Sequence, residues 1–192
     1  MPDLFEQLVG DYLTEKGYLC KFNVNYRKAD NKQTGSDIDV LARGQRRPHE
    51  IIVGDCKSWG EGLWGDWMLE EPPQNEPPKT AILRQRERFK PLFRQEWTDG
   101  LAAKIKTEFG TERFIYTIYC ARLRGQSRDL RKLRIGGNPV RVVTLAQMVS
   151  ETEQRLVERS KQTDSVEPTT LGRFVQLMRH AGIKLEFPEH SD

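Results

Sequence analysis

Two short stretches of the sequence decide the fold, and they read Gly35-Ser36-Asp37-Ile38-Asp39-Val40-Leu41-Ala42 and Ile51-Ile52-Val53-Gly54-Asp55-Cys56-Lys57. Both combine β-branched and aliphatic residues with acidic ones, which is typical of strands that carry polar groups on one side. Only eight residues, 43–50, separate them, and residues 44–48 among these are turn-forming. Two strands joined by so short a connection form a hairpin. We therefore predict strands over 37–42 and 51–57, with Asp39 on the strand beside Asp55.

The rest of the chain has the pattern of an α/β protein. Helices are predicted over 3–17, 80–93 (stopped or kinked near Pro91), 101–109, 145–159 and 169–185. Further strands are predicted over 18–26, 114–120 and 140–144. The stretch 114–120 is almost continuously apolar, which favours a strand buried on both faces of a sheet. This order predicts an αβββαβ core with a mixed central sheet flanked by helices, followed by a C-terminal helical extension.

The composition fits one domain of ordinary size. Of 192 residues, 36% are hydrophobic and 31% charged, which is enough apolar material for a single core. We expect one domain over 1–159 with an insertion at 58–79, a linker over 160–168 and a helical extension over 169–192. The chain lacks a long apolar run and a signal-like start, and its three cysteines do not suggest disulfides. These features predict a cytoplasmic protein that does not bind membranes.

Positive charge is concentrated in the middle of the chain. Residues 79–134 contain 15 lysines and arginines against 6 acidic residues, a net of +9, while the remainder has 16 against 22, a net of −6. A basic segment beside an acidic remainder is typical of a phosphate-binding face next to a carboxylate site. The alternative interpretation is a solvated helix face on an ordinary surface.

The two predicted strands bring a chemically specific set of groups together. Asp55 and Lys57 project from one face, about 7 Å apart along the strand. Asp39 lies on the neighbouring strand, with Asp37 on the same face. Two carboxylates, with the Cys56 carbonyl as a third oxygen, are the kind of ligands that Mg²⁺ prefers. An ammonium beside them lowers the pKa of an attacking water or stabilises charge on a phosphate, so the set indicates phosphodiester hydrolysis.

These residues resemble the D…(D/E)-x-K signature of the restriction-endonuclease-like, or PD-(D/E)XK, nucleases. The forms most similar in motif are those of Mrr-like restriction enzymes and archaeal Holliday-junction resolvases. The resemblance covers roughly residues 3–145 and implies a restriction-endonuclease-like fold. It also implies a Mg²⁺-dependent endonuclease acting on DNA, with Mn²⁺ able to replace Mg²⁺.

The resemblance also implies roles for individual residues. Asp39 takes the position of the invariant aspartate, Asp55 that of the second acid and Lys57 that of the lysine. Glu6 resembles a glutamate that some members use on their first helix. One position differs from the forms that are most similar in motif. The second acid is Asp55, where those forms usually carry Glu or Gln, and the shorter side chain of Asp changes how its carboxylate reaches a metal.

Basic and aromatic residues follow the predicted site. Arg84, Arg86, Arg88 and Lys90 are candidates for contacts with DNA phosphates. Trp59 and Trp64 are candidates for stacking on bases, and the alternative is that the tryptophans cap the sheet or bury a dimer interface. Gln85 and Phe89 loosely resemble the Q-x-x-x-Y helix of RecB-type nucleases, with Phe in place of Tyr.

Three interpretations stay open at this point. The leading one is a metal-dependent DNA endonuclease whose target recognition comes from the Trp-rich loop, the basic helices, the second copy of a homodimer or a partner subunit. The second is a non-catalytic nucleic-acid-binding or assembly module, and the presence of all three of Asp39, Asp55 and Lys57 counts against it. The alternative role of these three side chains is a structural ion-pair cluster at a sheet edge. The third is an RNA-directed nuclease in a defence system.

Overall fold

The structure is a computed structural model that describes residues 2–30, 33–58, 62–69, 79–125, 128–160 and 169–183. Eight strands are present in these ranges: β1 (Tyr18–Arg27), β2 (Gly35–Gly44), β3 (Ile51–Lys57), β4 (Leu63–Trp64), β5 (Ile115–Cys120), β6 (Leu123–Arg124), β7 (Arg134–Ile135) and β8 (Asn138–Thr144). The helices are α1 (Leu4–Glu15), α2 (Asp66–Leu69), α3 (Lys79–Glu87), α4 (Lys90–Phe93), α5 (Gln95–Phe109), α6 (Leu145–Ser160) and α7 (Thr170–His180).

Six strands form one mixed sheet in the order β1-β2-β3-β5-β8-β7. The first three are antiparallel neighbours, and Val40 of β2 lies opposite Gly54 of β3, which confirms the predicted hairpin. Strands β3, β5 and β8 run parallel, because α2 to α5 cross from β3 to β5 and return the chain to the same end of the sheet. The molecule is therefore an α/β protein with a mixed central sheet, as predicted.

Helices cover both faces of the sheet. One apolar cluster joins the sheet to α5 and the α3–α4 region through Trp97, Leu101 and Phe89. The other joins it to α1, α6 and α7. Strand β5 contributes to both clusters, with Ile118 in the first and Tyr119 in the second. The prediction that this strand is buried on both faces is confirmed.

The basic helix predicted over 80–93 is two helices. Helix α3 ends at Glu87 and α4 begins at Lys90, so the break precedes Pro91. Proline is tolerated in the first turn of a helix, where its missing N–H has no partner to lose. The predicted stop near Pro91 is confirmed, although the first helix already ends at Glu87 and Pro91 lies in the first turn of the second helix rather than at a kink. The following helix also begins at Gln95, six residues before the predicted 101.

The C-terminal helix α7 packs on α1 and α6, and its Leu171 and Val175 are buried in their shared apolar cluster. The hydroxyl of Thr169 accepts a hydrogen bond from the Gly172 N–H and caps the helix start. Gly182 adopts the left-handed conformation just after the helix end, which is the stop predicted for it. Most of the predicted linker lies outside the described residues. No helix in the described ranges is both long and apolar enough to cross a membrane.

Helix α5 lies backbone to backbone against the end of β1 at Gly100. A Cβ at this position would be 1.9 Å from the carbonyl oxygen of Arg27, where no atom fits. We expect Gly100→Ala to lower the free energy of unfolding by about 1–3 kcal/mol or more, because either α5 or β1 must shift. Urea unfolding followed by circular dichroism measures this, with Ala103→Ser on the exposed side of α5 as the control. Equal midpoints for the two variants would contradict the close approach.

Candidate active site

The three residues predicted to take part in catalysis, Asp39, Asp55 and Lys57, are neighbours at the open end of the β2–β3 hairpin, away from its turn. Lys57 forms an ion pair with Oδ1 of Asp55 on the same strand, and its Nζ lies 3.8 Å from Oδ2 of Asp39 on β2. The three side chains are only 17%, 14% and 20% exposed, respectively. The alternation of side chains along β3 places Asp55 and Lys57 on one face, as the sequence predicted.

Cys56 contributes its backbone rather than its sulfur. Its N–H donates a hydrogen bond of 2.6 Å to Oδ2 of Asp39, and its carbonyl oxygen lies 3.4 Å from Nζ of Lys57. The sulfur packs in the apolar cluster on the other face of the sheet, and burial raises the pKa of this thiol well above its usual range. The three predicted metal ligands therefore all face one point, and in this structure the Lys57 ammonium lies there.

Tyr116 completes the site, and sequence reasoning missed it. Its hydroxyl donates a hydrogen bond of 2.6 Å to Oδ2 of Asp55. Burial, followed by the charge of Asp55, raises the pKa of Tyr116 well above its usual range, so the hydroxyl stays a donor. Tyr116 lies on β5, 61 residues away from Asp55 in the chain. Only the parallel register of β3 and β5 brings the two residues together.

The pKa values of Asp39 and Lys57 are both raised, by burial in the first case and by neighbouring charges in the second. Burial raises the pKa of Asp39 to about 6, helped by the nearby charge of Asp55 and opposed by Lys57 and the Cys56 N–H. Burial alone would lower the pKa of Lys57, but the charges of Asp55 and Asp39 outweigh it and the pKa is raised. The site thus holds one fixed cation and a carboxylate that resists ionisation in the absence of a further cation.

This electrostatics predicts a pH dependence for the metal-free protein. Because the pKa of Asp39 is raised to about 6, the folded chain keeps a proton that the unfolded chain has released. The contribution of Asp39 to stability is therefore complete below about pH 4 and is lost as pH rises through about 6. In EDTA, we expect Asp39→Asn to unfold at a higher temperature than the wild type at pH 7.5. At pH 4 this advantage should disappear, and an advantage that does not change with pH would contradict the raised pKa.

The three residues line a cleft of about 480 Å³. Asp37 lies on its β2 wall, as the predicted shared face with Asp39 requires. The opposite wall comes from the α3–α4 region and includes Arg88, Lys90 and Pro91. A group that enters this cleft meets carboxylates and an ammonium on one side, and on the other the basic side chains of Arg88 and Lys90 together with Glu87.

The other predicted nucleic-acid residues have different surroundings. Arg84 is exposed on α3, while Arg86 donates a hydrogen bond of 2.7 Å to the Trp67 carbonyl. The ring of Trp64 stacks on Trp67 with 5.1 Å between centroids, and the Arg124 guanidinium lies over it at 5.4 Å. Trp59 lies outside the described residues. Arg86 and Trp64 thus have partners within the protein, which is closer to the capping alternative for the tryptophans.

Gln85 and Phe89, the pair that loosely resembles a nuclease helix motif, have visible structural roles. The Gln85 side-chain amide donates to the Trp64 carbonyl and accepts from the Trp64 N–H, so it holds β4 against α3. Phe89 is fully buried beneath the site, and Nζ of Lys57 lies 5.5 Å from its ring centroid. Phe89 thus supports the lysine through its ring face.

Glu6 lies near the site but is engaged by its own helix. Its carboxylate accepts a hydrogen bond of 3.0 Å from the Asp3 N–H, and its N–H donates to the Asp3 carboxylate, a capping box at the start of α1. Burial is the main cause that raises the pKa of Glu6, and Asp37 and Lys57 both act on it electrostatically. Asp3, rather than Glu6, lines the cleft.

The donor set suits a hard divalent cation. Among the described residues, no group of three or more His, Cys, Asp or Glu side chains is arranged to hold a metal ion. The candidate here is different in kind: two carboxylates and one carbonyl oxygen surround an ammonium. Oxygen ligands of this type, completed by water, are typical of Mg²⁺ sites. The residues present therefore fit the predicted ion.

Comparison of the chain with protein-family models, with curated proteins and with solved structures finds no match.

Proposed function

We propose that this chain is a metal-dependent endonuclease that hydrolyses phosphodiester bonds in DNA and has a restriction-endonuclease-like fold. The observation that carries the proposal is the convergence of Asp39, Asp55 and the Cys56 carbonyl on one cation position, with Lys57 within the same site. Two buried carboxylates share one ammonium, which leaves a negative charge that a metal ion would compensate. The cleft beside them is open to a substrate.

The proposed division of labour follows from the charges. Asp39, Asp55 and the Cys56 carbonyl would hold Mg²⁺, with Mn²⁺ as a substitute, and Tyr116 would orient Asp55 through its hydrogen bond. When bound, the metal would supply a strong positive charge and lower the pKa of a coordinated water. Lys57 must then leave the position shared by the three oxygens. Its ammonium stays tethered beside them, where it stabilises the charge that develops on the phosphate.

A non-catalytic binding or assembly module is the second candidate. It is favoured by one observation, the close ion pair of Lys57 with Asp55, to which Tyr116 also donates. An ion pair with a purely structural role would neither bind a metal nor catalyse a reaction. The two candidates differ in whether a divalent cation displaces the ammonium.

Cleavage of defined substrates tests the proposal. The purified protein is incubated with plasmid, linear duplex, branched and single-stranded DNA and with RNA, in Mg²⁺, in Mn²⁺ and in EDTA. The proposal predicts cleavage of at least one DNA form that EDTA abolishes and that Asp39→Asn removes. If only RNA is cleaved in the presence of metal, the substrate of the site is RNA rather than DNA. Binding without cleavage of any substrate would favour the non-catalytic binding or assembly module.

The basic residues give a separate prediction about binding: Arg88 and Lys90 line the cleft, and Arg84 is exposed on α3. Replacing Arg84, Arg88 and Lys90 with Gln is expected to weaken DNA binding similarly for unrelated sequences. Each lost phosphate contact reduces the slope of log K against log salt by about 0.9 for duplex DNA. Fluorescence anisotropy at 50 to 200 mM salt (roughly the range over which such contacts are screened) measures this.

The control removes the same charge outside the cleft, with Gln in place of the exposed Arg113, Arg122 and Arg179. If both triple variants weaken DNA binding equally, net charge rather than the position of the basic residues on α3 and at the cleft wall is responsible.

A further inference from the structure

A second cavity lies at the end of the hairpin opposite to the cleft. Its volume is about 630 Å³, within the usual range for small-molecule sites. The walls come from the C-terminal end of α1, the start of β1, the turn between β2 and β3, and the middle of β5 and β8. The cleft, in contrast, is lined by β2 from Ser36 to Asp39 and by β3 from Val53 onward.

The frame of this cavity is held together by hydrogen bonds between its walls. The Gln45 N–H donates a bond of 2.9 Å to the Gly17 carbonyl and so joins the β2–β3 turn to the end of α1. The Tyr18 hydroxyl donates a bond of 2.5 Å to Glu50, which ties β1 to the start of β3. The cavity is therefore built by long-range contacts rather than by one loose loop.

The charged groups around the cavity leave an excess of positive charge. Glu50 accepts from Tyr18 and lies 3.7 Å from Arg47, and Glu15 accepts a hydrogen bond from Thr169. Arg46 and Arg141 also line the cavity. Neither of these two exposed guanidinium groups donates a hydrogen bond or forms an ion pair within the described part of the chain. They are the groups that remain to bind an anion.

The inner walls are apolar and aromatic. Ile52 and Val143 line the cavity together with three tyrosines, of which Tyr18 is half-buried while Tyr12 and Tyr119 are almost fully buried. Tyr12 and Tyr119 contact each other edge to face, with 6.4 Å between ring centroids, and form the floor. The planar ring of a ligand can pack on this apolar and aromatic wall. An arginine guanidinium can donate two parallel hydrogen bonds to a phosphate group.

We propose that this second cavity binds a free nucleotide, with its phosphate on Arg46 and Arg141 and its base on the wall that Tyr18 presents. The site is separate from the proposed nuclease cleft and does not depend on that function. It combines the three features that the ligand needs: a concave volume open to solvent, an aromatic wall and two arginines without a partner in the described residues.

Isothermal titration of the full chain in EDTA tests the inference, with AMP, adenosine and inorganic phosphate as the probes. We expect saturable binding of AMP that is tighter than that of either fragment. The double variant R46Q/R141Q should raise the Kd for AMP by about tenfold or more, because two charge-assisted contacts are lost. The matched control R122Q/R179Q removes the same charge from exposed positions outside this cavity and should leave the Kd unchanged.

Two further measurements distinguish this site from the cleft. Asp39→Asn should bind AMP as the wild type does, and R46Q/R141Q should bind DNA as the wild type does. The inference is overturned by an absence of saturable AMP binding, by an equal Kd in the two double variants, or by loss of AMP binding in Asp39→Asn. It is also overturned if R46Q/R141Q loses DNA binding together with AMP binding, which would make this a nucleic-acid surface.

Discussion

Asp39→Asn is expected to lower the rate of DNA cleavage by on the order of 10³-fold, which corresponds to several kcal/mol of lost metal-dependent stabilisation. The substitution keeps the shape of the side chain, and its amide oxygen still accepts the hydrogen bond of the Cys56 N–H. What is lost is one of two carboxylate charges at the cation position. DNA binding should survive or strengthen, because one negative charge near the phosphates has been removed.

Single-turnover cleavage and anisotropy on the same DNA measure the two effects separately. Asp37→Asn is the matched control, because Asp37 lines the same cleft but is exposed and lies outside the set that surrounds Lys57. We expect its cleavage rate to change much less. If Asp39→Asn cuts DNA as well as the wild type, the proposed metal role of Asp39 is wrong.

Lys57→Ala is expected to show two effects of opposite sign. Cleavage should fall by on the order of 10²–10³-fold, the usual cost of removing one group that stabilises transition-state charge. Binding of Mn²⁺ should become tighter, because the ammonium no longer competes for the oxygens of Asp39, Asp55 and Cys56. A purely structural ion pair predicts neither the loss of cleavage nor the gain in metal affinity.

The same substitution also has a large expected effect on stability. Without metal, Lys57→Ala leaves the Asp39 and Asp55 carboxylates facing each other with no cation between them, at a cost of about 3–5 kcal/mol. Addition of Mg²⁺ should restore most of this loss, which thermal unfolding with and without EDTA measures. Lys104→Ala removes a lysine that pairs with Glu108 on the surface of α5 and should change stability by less than about 1 kcal/mol. An equal loss in both variants, unaffected by Mg²⁺, would contradict the cation site.

Local pattern was enough to predict the β2–β3 hairpin and the grouping of Asp39, Asp55 and Lys57. Side chains alternate along a strand, so the spacing of Asp55 and Lys57 alone places them on one face. The short connection between β2 and β3 strongly favours their pairing as antiparallel neighbours. These inferences depend on neighbours in sequence, and they needed no knowledge of the rest of the chain.

The sequence pattern was less informative where two structures satisfy it. The sequence of residues 79–93 has a helical and basic pattern throughout, and Pro91 is compatible with either a kink in one helix or the start of a second helix. The structure has the helix start, with Phe89 just before it fully buried under the site. Burial of that ring against the sheet is a tertiary interaction, so the helical pattern itself contains no sign of where the break occurs.

By itself, therefore, the sequence determined the hairpin, the acid and lysine positions and most of the long helices and strands, because each depends on spacing within a few residues. It did not determine the break between α3 and α4, the start of α5 or the short strands β4, β6 and β7. Only the tertiary structure decided that Tyr116 binds Asp55, that the α3–α4 region forms the second wall of the cleft, and that Arg46 and Arg141 share a cavity with Tyr18. These depend on the parallel register of β3, β5 and β8. That register is set when both faces of the sheet bury their apolar side chains at once, a condition that involves the whole chain.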